Sequence, residues 1–133
     1  MRVRIAVIWA FGIGCGAGVA GCAAGLRGTW DATGEVEEGR FFAFRLDCED
    51  PEKPVADFEP MGGERVRLAV CALTEKDGRV EFRMDPDSRA TTCEAMKSPY
   101  RFVGEFGRDV LTGRVLDSQG RDIGMFRAFR TGS

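Results

Sequence analysis

From residue 27 onward the chain consists of short runs in which apolar and polar residues alternate, cut at close intervals by Gly, Pro and Asp. Alternation sends successive side chains to opposite faces, as a half-buried strand requires. No stretch sustains the 3.6-residue period of an amphipathic helix. Arg65-Val66-Arg67-Leu68-Ala69-Val70 is the cleanest run, with Val66, Leu68 and Val70 on one face. Arg79-Val80-Glu81-Phe82-Arg83-Met84 is the second, and Lys76-Asp77-Gly78 between them is a hairpin signal. The pattern predicts strands over 27–36, 40–47, 54–59, 65–73, 78–84, 100–107, 110–117 and 121–130. The segment 85–99 is open between a long loop, a short helix and a poor strand.

These strands imply an all-β domain over 27–131, an antiparallel up-and-down meander. One open sheet of that many strands would expose two edges and an apolar face, whereas closure into a barrel of about eight strands removes the edges. Phe82, Met84, Phe102, Phe106, Phe126 and Phe129 are large enough to fill much of a narrow interior. Phe42 and Phe44 share a face with Leu46, while Phe41 points the other way.

The first residues read differently. Arg2 and Arg4 precede the apolar run Ile5 to Phe11, no charge appears between Ile5 and Leu26, and glycines crowd the second half. A basic start, an apolar core and a small-residue end form a secretory signal. A permanent membrane helix is the competing reading, but that glycine content suits a helix poorly. Ordinary cleavage after Ala23 or Ala24, releasing a soluble protein, is another.

Val19-Ala20-Gly21-Cys22 resembles the lipobox of bacterial lipoproteins. The resemblance implies a signal peptide over 1–21, cleavage between Gly21 and Cys22, a lipid on the Cys22 thiol and a short linker over 22–26. It places the protein in the cell envelope, attached to membrane by its lipid, on the periplasmic face or the surface. Ala23, where an Asp would favour inner-membrane retention, points to the outer membrane. The 133 residues less the first 21 leave 112, enough for one domain with a real core.

Gly28-Thr29-Trp30 at the first strand resembles the opening of lipocalins and avidin-like barrels, the calycin group. In that group the Trp plugs the closed end and an Arg of the last strand packs over its ring. Here Trp30 would take the first part and Arg127 or Arg130 the second. Biotin binding does not follow, because Trp30 is the sole Trp after residue 21.

Histidine is absent, which excludes Ser-His-Asp triads, Cys-His dyads and His-based metal sites. The formal charge of −2 gives no reason to expect nucleic-acid binding. No cofactor, metal or catalytic residue is expected, and the chain does not read as an enzyme. Asp47, Glu49, Asp50 and Glu52 form an acidic cluster without EF-hand spacing, which reads as a solvated loop. Arg65, Arg67, Arg79, Arg83, Arg101 and Arg114 fall on outward positions; a solvated, ion-paired face is preferred over a site for anionic headgroups or polysaccharide.

Cys48, Cys71 and Cys93 would remain after processing in an oxidising compartment, so a disulfide is expected. Three pairings are possible. Cys48 with Cys93 is favoured, because both lie in polar segments while Cys71 sits in an apolar strand as a buried thiol. Two functions are open: a lipid-anchored barrel holding a small apolar or amphipathic ligand, or a solid barrel acting as an inhibitor or envelope assembly factor through contact with another envelope protein.

Overall fold

The computed structural model describes residues 24–37, 39–50 and 52–132. The expected signal peptide and cleavage site, Gly21 and Cys22 included, lie outside them. The strands are β1 (Thr29–Val36), β2 (Arg40–Asp47), β3 (Val55–Pro60), β4 (Val66–Ala69), β5 (Cys71–Lys76), β6 (Arg79–Met84), β7 (Tyr100–Phe106), β8 (Val110–Leu116) and β9 (Asp122–Gly132). They form one antiparallel sheet in the order β4-β3-β2-β1-β9-β8-β7-β6-β5. The all-β meander expected from the alternation is therefore the fold. The first and last strands pair, and the sheet curls into a nearly closed barrel.

The two sheet edges, β4 and β5, are separated in the chain by Val70 alone. Together they act as one bent stave, which reconciles nine strands with the eight expected. Ala72, at φ 54°, and a register shift between Cys71 and Thr74 mark the bend. The following hairpin turns on Asp77 and Gly78, with φ of 54° and 82°, the positive pair that a two-residue turn needs.

The segment 85–99 is a long loop with a single 3-10 turn at Cys93–Ala95. It lies along the outer edge of β4, where the Ala69 N–H donates to the Ala90 carbonyl. Asp85 holds it there. Its carboxylate is fully buried and accepts the N–H groups of Lys97 at 2.7 Å, Ser98 at 3.2 Å and Ser88 at 3.3 Å. Burial by itself would raise the pKa of this carboxyl, but those bonds outweigh it and hold it below the usual carboxylate range.

The expected Cys48–Cys93 bridge is corrected: Cys71 bonds Cys93, with Cα atoms 5.9 Å apart. The apolar run around Cys71 suggested a sealed core position. Cys71 is buried, but at the bend on the sheet edge, where the docked loop brings Cys93 within reach. Cys48 is fully buried. Its N–H donates to the Gly28 carbonyl.

Inside, Phe44, Phe82, Phe102 and Phe126 form a packed aromatic layer across the middle, with Phe82 stacked on Phe102 at 5.1 Å and Phe126 edge-on to Phe102 at 5.5 Å. A Cβ on Gly113 would come within 2.5 Å of the Gly104 Cα opposite, so β7 and β8 approach there as only glycines permit. Phe106 packs edge-on against Trp30. Phe129 departs from expectation: it faces outward, 49% exposed, opposite Val110. The outer arginines are largely ion-paired, as in Arg67–Asp57 and Arg114–Asp122, pairs that contribute little stability each.

Candidate functional site at the barrel mouth

The two ends of the barrel differ. At the base, residues 24–28 cross the opening. Leu26 is fully buried, and the Trp30 indole N–H donates to its carbonyl at 3.0 Å. The Arg130 guanidinium lies 4.4 Å from the Trp30 ring centre. It donates to the carbonyls of Gly25, Arg27 and Arg108 and pairs with Asp109. Arg127, the other candidate for this place, is on the outer wall, 5.9 Å from the Phe129 ring. β9 alternates faces, so residues 127 and 129 point outward, whereas Arg130 has the parity of the inward Phe126 and Ala128 and pairs with Trp30 of β1.

At the other end a cup of about 250 Å³ opens above the aromatic layer. Phe42, Phe58, Phe102, Val36 and Val66 form its apolar part. Phe42 and Phe58 lie nearly parallel, 5.5 Å apart, and Phe102 stands edge-on to Phe42 at 6.2 Å. Phe42 fits because its cross-strand neighbour is Gly34, whose Cβ would strike the ring. Arg40, Glu64, Asp87, Arg89 and Tyr100 give the opening its polar groups, beside the exposed apolar side chains of Phe41 and Met61.

These polar residues come from different parts of the chain. Tyr100, the sole tyrosine, stands at the start of β7 and donates its hydroxyl to Asp87 at 3.0 Å. Its pKa is raised, first by burial and then by the Asp87 carboxylate. Arg40 opens β2 and pairs with Glu37 at 3.0 Å. Asp87 and Arg89 lie on the loop that Asp85 and the Cys71–Cys93 bond fasten to the wall. Arg89 has φ 53°, the left-handed region that a bulky residue seldom occupies.

The arrangement suits reversible binding of a small molecule: an apolar floor, aromatic walls and a polar rim. Among the described residues no group of three or more Cys, Asp or Glu is placed to hold a metal ion. The acidic residues Asp47, Glu49, Asp50 and Glu52 are outside the cup; Glu49 accepts the Thr29 hydroxyl. Sequence reading did not single out Tyr100, Asp87, Arg89 or Arg40. The one available signal was a lone tyrosine opening a strand whose alternate residues are apolar.

No protein-family model matches the chain, and no curated protein matches its sequence. Its fold is similar to that of a redesigned β-barrel, mFAP1, solved bound to DFHBI. The TM-score is 0.59 and the identity 16%, over 80% of this chain and 95% of the other. At that identity the likeness concerns the fold.

Proposed function

We propose that this protein is a lipid-anchored component of the cell envelope whose barrel mouth binds a small apolar or amphipathic molecule. The observation that carries the binding half is the cup: it is apolar within, polar at the rim and sited on a rigid wall. The similar barrel mFAP1, solved with DFHBI bound, supports the view that a barrel of this size has room for one compact ligand. The anchoring half rests on Val19-Ala20-Gly21-Cys22 and the basic and apolar residues before it.

A second reading, contact with another envelope protein, draws on the outer wall. Phe129 and Met125 are 49% and 51% exposed on β9. Titration decides between the readings. Trp30 is a poor reporter, because it lies at the base and the cup at the mouth. Tyr100 is the natural one. Amphiphiles titrated into protein labelled at Tyr100 should shift its NMR signals saturably, and Val66→Trp, which fills the cup, should abolish the response. A flat titration rejects ligand binding and leaves the outer wall as the working surface.

A further inference from the structure

Small ligands differ in size, stiffness and charge, and the cup discriminates on all three. Its volume, about 250 Å³, exceeds the roughly 150 Å³ apolar cavity that accepts benzene and falls below the roughly 300–1,000 Å³ of pockets for drug-sized ligands. One or two fused rings fit, and a long acyl chain does not. The walls are flat: Phe42 and Phe58 are within 15° of parallel, and Phe102 presents an edge. Ring faces and edges reward a planar partner, while a flexible chain loses rotational freedom on entry.

Charge points the same way. The rim carries two cations, Arg40 and Arg89, and two anions, Glu64 and Asp87. These cancel, and Arg40 is already paired with Glu37. Nothing in that balance compensates an ionic ligand for leaving water. One polar feature is specific. Asp87 accepts a hydrogen bond from the Tyr100 hydroxyl on Oδ2, and a carboxylate accepts more hydrogen bonds than that one.

We propose that the cup selects an uncharged, planar ligand of one or two aromatic rings that donates a hydrogen bond to Asp87, with Tyr100 fixing the carboxylate for it. The inference rests on the ligand-binding reading above and narrows it.

The test is calorimetric titration of the full chain in lipid nanodiscs, with protein-free nanodiscs as the blank. Four probes separate the properties: 2-naphthol, 2-methoxynaphthalene, 2-naphthoate and decanoate. The expected order places 2-naphthol first, at least about tenfold tighter than each of the others, as loss of one hydrogen bond to a charged group implies. Asp87→Asn should bring 2-naphthol to within about twofold of 2-methoxynaphthalene and leave the latter unchanged. If that variant does not fold, the probe order in the natural protein still decides. Decanoate or 2-naphthoate binding as tightly as 2-naphthol overturns the inference while the cup remains a binding site. Equal affinity for the two neutral naphthalenes removes Asp87 as the acceptor and overturns it too. Failure of all four probes, with Tyr100 signals unmoved, defeats the cup reading itself.

Discussion

The Arg130 guanidinium lies 4.4 Å from the centre of the Trp30 ring while donating to the backbone carbonyls of Gly25 and Arg108. One side chain from the last strand thereby fastens the segment before the first strand across the barrel base. A cation over an indole face contributes about 0.5–2 kcal/mol, and hydrogen bonds from a charged donor add roughly 1.5–3 kcal/mol.

Arg130→Ala should therefore destabilise the domain by roughly 2–4 kcal/mol, measured by urea unfolding. Arg127→Ala, on the outer wall, should change it by less than about 0.5 kcal/mol. Equal effects from the two would mean that the base is not held as described.

The Cys71–Cys93 bond closes a chain loop with a sequence separation of 22. Cys93→Ser should cost about 3 kcal/mol by the chain-entropy relation. It should also loosen the loop that carries Asp87 and Arg89, so hydrogen exchange should rise over 86–98 before it rises elsewhere. A peptide map of non-reduced protein that joins Cys93 to Cys48 contradicts the pairing.

Asp85 gives the domain an acid sensitivity whose sign is fixed. Its pKa is lower folded than unfolded, so its stabilisation is fully present above the unfolded value near ~3.9 and drains away as pH falls through the folded value. Asp117 and Asp122 are lowered too, and both contribute to the same limb. Stability measured from pH 7 to pH 2 should fall in acid. Asp85→Asn should be less stable at pH 7 and flatter below pH 4. An Asn variant with an unchanged acid slope shows that Asp85 does not supply it.

Membrane attachment is tested at Cys22. Cells expressing the natural chain should incorporate labelled fatty acid into it, and Cys22→Ser should abolish both the label and normal processing. Two or more acyl chains are needed for stable anchoring. Absence of label rejects the anchor.

Much of the barrel was legible because alternation is a local property. Val66, Leu68, Val80 and Phe82 announce their inward face by position within their own strands, and Asp77-Gly78 carries its own turn geometry. Those signals determined the all-β class, the meander and the number of staves. They stop where residues distant in the chain meet. Cys71 looked like core because its neighbours are apolar; only the docking of 85–99 onto the β4 edge reveals it as the partner of Cys93. Phe126 and Phe129 lie three residues apart on β9, so the strand period puts them on opposite faces, and pairing with β1 and β8 decides which of the two is inward. Arg127 and Arg130 were equal candidates until the pairing of β9 with β1 set Arg130 beside Trp30. The cup is the extreme case. Phe42, Phe58, Asp87 and Tyr100 lie on four separate segments, and the space between them exists only once the barrel has closed. Sequence by itself determined which faces turn inward, because that is set by the two-residue period of a strand; tertiary structure decided what the inward faces enclose, because a volume depends on how distant strands are brought together.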